Sequence, residues 1–220
     1  MPPELLAYVA LQIARGLAAA HGLCDRDGRP LGLVHRDVTP SNVLVAFDGV
    51  VKLTDFGVAR AAGRTSHTAT GVLKGKVAFM SPEYARHRQV DGRSDLHSLG
   101  VTMFAVASGR LPFDAENDLE LLRRITEDEA PSLRELVPDF DAGLGELIAR
   151  LLRKRPDERP ASALELAAAL EAWLGARGTT ETERRARLAG YARRHAETRE
   201  RHLQGILARF ECRLHRGLRL

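Results

Sequence analysis

Apolar residues at Leu5, Val9, Ile13 and Leu17, with Leu6 and Ala10 beside them, recur at the four-residue spacing that gathers side chains on one side of an α-helix. They predict a helix that ends near His21 and Gly22, followed by a polar Gly- and Pro-containing turn from Asp25 to Pro30. Val43-Leu44-Val45 and Val51-Lys52-Leu53 are short β-prone runs around Asp48-Gly49, which predicts a small hairpin. Periodicity then fades over residues 58–80, a stretch rich in Gly, Ser and Thr; a loop of that length inside a domain usually serves a function. Four helical segments follow: from Asp95 through Val106, from the Asn117 cap to about Thr126, from Asp141 to Lys154, and from a capping box at Ser162 and Glu165 to near Leu174. Gly175 to Thr180 reads as a linker. Beyond it Leu203, Ile206, Leu207, Phe210 and Leu214 keep helical spacing, with Arg199, Arg201, Arg209, Arg213 and Arg216 around them. The expected fold is mainly α, with one small hairpin, in a domain over residues 1–174 and a basic helical tail over residues 175–220.

Charge separates those two parts. Residues 1–174 hold 21 Lys/Arg against 24 Asp/Glu, whereas residues 175–220 hold 12 Arg against 5 Glu. The basic character therefore belongs to the tail, whose first reading is a solvated helix that packs back on the lobe or self-associates; an acidic protein partner, nucleic acid and an anionic membrane surface are the alternatives, and Tyr191 and Phe210 are its only aromatics, too few for a strong nucleic-acid signal. With 44% hydrophobic and 28% charged residues the chain has a globular composition. It has no run of eighteen apolar residues, so no transmembrane segment is expected, and its first residues lack the pattern of a secretory signal. Cys24 and Cys212 read as free thiols, and a cytoplasmic location is expected.

The chemistry is concentrated in His35-Arg36-Asp37-Val38-Thr39-Pro40-Ser41-Asn42, then Asp55-Phe56-Gly57 and Ser81-Pro82-Glu83. An acid, an amide and a second acid in that order suit phosphoryl transfer, which asks of a protein mainly positioning and charge neutralisation. In these motifs the chain resembles the eukaryotic-like serine/threonine protein kinases of bacteria, over roughly Pro2 to Leu174. The resemblance implies the helical C-terminal lobe of a kinase, with ATP and Mg2+ as cofactors and protein Ser/Thr hydroxyls as acceptors; Pro40 favours Ser/Thr over Tyr. It assigns Asp37 to orienting the acceptor hydroxyl, and Asn42 and Asp55 to the metal and nucleotide phosphates. It makes Arg36 the cation that docks a phosphorylated loop, with Thr65, Ser66, Thr68 and Thr70 as candidate phosphorylation sites. His35 and Phe56 are expected to pack on each other, Glu83 to pair with Arg159, and Asp95 to anchor the catalytic loop; these five are structural.

Two positions depart from the family pattern together. Thr39 stands where the family usually has Lys, and Lys76, after Gly75, stands where it usually has Thr. Because those positions face each other across the family's active site, Lys76 is expected to supply the charge normally delivered from position 39, and Thr39 the hydroxyl. No Gly-x-Gly-x-x-Gly and no strand lysine of the nucleotide-binding lobe occur in the sequence. The leading expectation is that a segment carrying them is encoded upstream; the alternatives are a relic fragment and a non-catalytic interaction module.

Overall fold

The computed structural model describes residues 1–56 and 76–196. These form two compact units. Of the described residues, the first comprises those within Met1–Leu44 and Val51–Thr180, and the second comprises Val45–Val50 and residues 181–196.

The first unit is helical. Helix α1 spans Pro3–His21, with a proline in its opening turn where its missing N–H costs nothing, and Glu4 near its positive end. A 3-10 turn over Pro40–Asn42 leads into β1 (Val43–Val45), which pairs with β2 (Val51–Leu53) as the only sheet among the described residues. Then come α2 (Pro82–Ala85), α3 (Gly92–Ser108), α4 (Asp118–Glu127), α5 (Leu133–Leu136), α6 (Ala142–Leu151) and α7 (Ala163–Gly175). This is the mainly α fold with a small hairpin that the sequence predicts. The regulatory candidates Thr65, Ser66, Thr68 and Thr70, and the apolar stripe of the tail from Leu203 to Leu214, lie outside the described residues.

Local chemistry sets most boundaries. Asn117 Oδ1 accepts the Glu120 N–H at 2.9 Å, Asp141 Oδ1 accepts that of Leu144 at 2.9 Å, and Ser162 Oγ accepts that of Glu165 at 3.1 Å. Two expected boundaries shift. Helix α3 starts at Gly92, not Asp95, because Asp91 is the cap, accepting the Arg93 N–H at 2.8 Å. Helix α6 stops at Leu151, short of Lys154, where the carbonyls of Arg153 and Lys154 turn aside to accept Arg159 Nε and Nη2.

Helix α1 packs along α7 and across α3, and α3 also packs on α6. Leu17, Leu96, Leu99, Leu144, Leu166 and Leu170 are wholly buried where these helices meet. Each such burial stabilises by about 1.5–3 kcal/mol relative to exposure. A second apolar cluster, formed by Val77, Ala78, Phe113, Leu121 and Ile125, seats the segment that begins at Lys76. No helix among the described residues is long and apolar enough to cross a membrane.

In the second unit, residues 181–196 form a helix, α8. Residues 45–50 make the hairpin tip, closed by the Ala46 N–H on the Val50 carbonyl at 2.8 Å.

Candidate active site

Helix α3 is buried on all sides from Ser94 to Phe104, yet it carries polar side chains. Buried polar groups must find partners, and here most of those partners are backbone groups of the functional segments. Asp95, with no exposed surface, accepts the N–H groups of His35 at 2.8 Å and Arg36 at 2.7 Å. Thr102 donates to the Val38 carbonyl at 3.1 Å, and Ser98 to the Phe79 carbonyl at 2.7 Å. His21, at the end of α1, places Nε2 2.8 Å from Asp95 Oδ2. That approach depends on Gly92, since a Cβ there would lie 2.5 Å from the His21 ring.

The loop held this way is locally unfavourable. Arg36 has φ +64° and Asp55 has φ +59°, left-handed values that side chains with a Cβ seldom adopt. Such conformations persist where surrounding bonds over-determine them, and they concentrate at functional sites. Asp95 supplies that restraint at Arg36. At the other end, His35 Nε2 lies 3.0 Å from the Thr54 carbonyl and the His35 ring packs on Phe56 with centroids 4.4 Å apart. His35 Nδ1 accepts the Asp37 N–H at 3.3 Å, which makes Nε2 the protonated nitrogen and the donor to Thr54.

Asp37, Asn42, Asp55 and Lys76 belong to one constellation. Asn42 Nδ2 donates to the Asp37 carbonyl at 2.8 Å, leaving the amide oxygen as the end of the side chain that can face a cation. Thr54, next to Asp55, returns its N–H to the Asn42 carbonyl at 2.9 Å, so the hairpin ties the two ligand candidates together. Lys76 Nζ donates to Asp37 Oδ2 at 2.6 Å. Thr39 is buried, and its hydroxyl pairs with that of Ser41 at 2.8 Å rather than with the Asp37 carboxylate. Arg36 lines a small cleft with Met80, Ser81 and Tyr84, and its buried Nε has no partner among the described residues.

The chemistry of the donors suits the expected cofactors. An amide oxygen and an exposed carboxylate are hard oxygen ligands, and magnesium commonly takes only one or two such groups from protein, completing its shell with phosphate and water. Among the described residues no group of three or more His, Cys, Asp or Glu could hold a metal unaided. Leu44, between Asn42 and the hairpin turn, is an apolar side chain left 54% exposed. Sequence reading passed it over, although strand alternation places it opposite Val43 and Val45.

Below the loop lies a wholly structural pair. Arg159 Nη1 and Nη2 donate to the two carboxylate oxygens of Glu83 at 2.8 and 2.9 Å, and its remaining N–H groups go to the carbonyls of Arg153, Arg93 and Lys154. Every guanidinium donor is thus used. Burial acts to raise the Glu83 carboxyl, but the Arg159 bonds and charge, with Ser94, outweigh it and bring its pKa down to about 2. Ser94 Oγ meets Glu83 Oε1 at 2.5 Å, a partner that sequence reading missed. His97, one helical turn on, is wholly buried with both ring nitrogens unpartnered among the described residues.

Comparison with known proteins agrees with this architecture. The family model described as protein kinase domain matches residues 1–171. The tyrosine-protein kinase MasK of Myxococcus xanthus is 39% identical over 174 residues, which cover 79% of this chain and 27% of MasK. The serine/threonine-protein kinase PknL of Mycobacterium tuberculosis is 37% identical over 172 residues, 78% of this chain and 41% of PknL. The probable serine/threonine-protein kinase pknA2 of Bifidobacterium longum is 34% identical over 179 residues, 77% of this chain and 22% of that protein. The chain therefore spans well under half the length of these relatives. With the motif residues gathered on one loop and hairpin, and the family match over most of its length, the chain belongs to the protein kinase family, among its bacterial eukaryotic-like members.

Proposed function

We propose that this lobe carries the catalytic-loop side of a protein serine/threonine kinase site, transferring the γ-phosphate of ATP to protein Ser or Thr hydroxyls. The observation that carries the reading is the convergence of Asp37, Asn42 and Lys76, with Asp55 tied to Asn42 across the hairpin.

Each residue has a role that its surroundings support. Asp37 orients the acceptor hydroxyl and takes its hydrogen bond as the oxygen attacks phosphorus. Asn42 and Asp55 would hold Mg2+, which when bound neutralises the phosphate oxygens and fixes their direction. Lys76, resting on Asp37, supplies a positive charge where negative charge grows in the transition state. It does so from the helical turn that begins at Lys76, in keeping with the exchange of lysine and threonine between positions 39 and 76. Leu44 offers an apolar surface that a flat base can cover.

The acceptor class separates two relatives, since MasK is named a tyrosine kinase and PknL a serine/threonine kinase. Pro40, by resemblance, favours Ser/Thr. The test incubates the protein with Mg2+ and γ-labelled ATP on mixed Ser, Thr and Tyr acceptors, and identifies the labelled amino acid. Phosphoserine or phosphothreonine that disappears in Asp37→Asn is the expected result. Label on tyrosine overturns the acceptor assignment. Label that survives in Asp37→Asn overturns the role of Asp37, and tight Mg2+–nucleotide binding without transfer favours a non-catalytic interaction module.

A further inference from the structure

The turn that joins the two metal-ligand candidates is held by a distant part of the chain. Arg185, on α8, places Nη2 2.6 Å from Asp48 Oδ2 and Nε 3.0 Å from the Asp48 carbonyl. Two turns further along the same helix, Arg193 Nε donates to the Phe47 carbonyl at 3.0 Å. The other Asp48 oxygen, Oδ1, accepts the Val50 N–H at 3.0 Å, so one carboxylate both shapes the turn and receives the guanidinium. Gly49 makes the approach possible. It has φ +83°, and a Cβ there would stand 2.2 Å from the Arg185 carbonyl oxygen. Helix backbone and hairpin backbone are therefore in direct contact.

A lone surface ion pair between residues 47% and 59% exposed would count for little. This contact is more than a lone pair. Two arginines reach three separate acceptors on the tip, two of them carbonyls, which hold the backbone itself. The Val50 N–H first, and then Arg185, lower the Asp48 carboxyl from its ordinary pKa, so the acceptor stays charged at neutral pH. The tip is continuous with β1 and β2; Asn42 immediately precedes β1, and Asp55 follows the end of β2 by two residues.

We infer that Arg185 is a positioning residue for the metal ligands: α8 clips the hairpin tip through Asp48 and Phe47, and the hairpin transmits that restraint to Asn42 and Asp55. The last link of this inference rests on the metal-ligand roles proposed above; the clip itself does not. The arrangement makes the segment after the kinase lobe a regulator of site order, since whatever draws α8 away releases the turn between the ligands.

The experiment uses the full chain and has two readouts. Amide hydrogen exchange reports the hairpin directly. In Arg185→Ala, exchange over residues 43–54 rises about three- to fivefold while α1 and α3 keep their protection. Arg185→Lys, which keeps a donor for Asp48 but loses the fork, recovers part of the effect. Titration with Mn2+, followed by its paramagnetic resonance signal, reports the ligands. Asp55→Asn weakens binding by about tenfold or more, and Arg185→Ala by about three- to fivefold. Unchanged hairpin exchange in Arg185→Ala overturns the clip. Faster exchange with unchanged Mn2+ affinity, in a chain where Asp55→Asn does weaken it, overturns the positioning role. If Asp55→Asn makes no difference to Mn2+, the ligand reading fails and takes the positioning role with it, while the exchange result still decides the clip.

Discussion

Glu83–Arg159 and Asp37–Lys76 are both close ion pairs, at 2.8 and 2.6 Å, and they sit in opposite surroundings. The first is sealed, with side chains 8% and 0% exposed, and every donor of the guanidinium is committed. The second is open, with Lys76 41% exposed and Asp37 15%, and it joins a loop to the segment in front of it. Burial decides what each can do. A sealed pair cannot exchange partners without leaving a charge in a poor solvent, so it fixes structure. An open pair can be parted by an incoming hydroxyl or phosphate, so it is available for chemistry.

The contrast breaks most visibly from the buried side. Glu83→Gln leaves Arg159 without a counter-charge and should lower the folding free energy at pH 7 by about 3–5 kcal/mol, read from chemical denaturation. Because the Glu83 pKa is depressed to about 2 in the fold, its contribution is complete above the unfolded value near 4.5 and is lost as pH falls towards 2. The gap between parent and variant should therefore close over that window. A gap that persists below pH 2 would mean that the carboxylate's charge is not the source of the effect.

From the open side, Lys76→Ala should leave stability within about 1 kcal/mol of the parent. If the proposed kinase activity holds, it should lower phosphoryl transfer by about tenfold or more, while Lys74→Ala has little effect. Equal activities of the two variants would remove Lys76 from the mechanism.

His97 sharpens the comparison at intermediate pH. Burial pushes its pKa well below the ordinary 6.5; Arg159 adds to this, Glu83 opposes it and Lys154 works in the same direction as Arg159. The fold holds the neutral ring while the unfolded chain takes up a proton, so stability should fall as pH drops below about 6.5, by up to about 1.4 kcal/mol per unit from this group. His97→Phe should flatten the dependence between pH 6.5 and 5, and a slope identical to the parent's would assign it to other groups.

The smallest effect is expected for Arg123. It meets Glu120 and Glu127 on the surface of α4 and Asp128 just after its end, and Arg123→Ala should not measurably shift the denaturation midpoint.

How much of this was legible follows from distance along the chain. The period of α1, the Asp48-Gly49 turn and the caps at Asn117, Asp141 and Ser162 are local, and reading them needs no neighbour from elsewhere. The start of α3 was misplaced because Asp91 and Asp95 are both plausible caps. Asp95 is committed instead to the backbone of His35 and Arg36, about sixty positions away, a role that the family resemblance implies and that nothing beside it in the sequence indicates. His21, Ser94 and Arg185 were missed for the same reason: nothing beside them in sequence indicates the acids they reach. The exchange of lysine and threonine was visible as a pattern. Its geometry is uneven, with Lys76 on Asp37 but the Thr39 hydroxyl on Ser41.

The buried polar row on α3 bears on engineering. The eight residues from His35 to Asn42 look like a portable cassette, short and rich in function, yet two of their backbone amides hang from Asp95 and one of their carbonyls from Thr102. A graft of that octapeptide onto another scaffold would carry the reactive groups and lose the scaffolding that bends Arg36 into its left-handed turn. The smallest transplantable unit is the loop together with the helix beneath it.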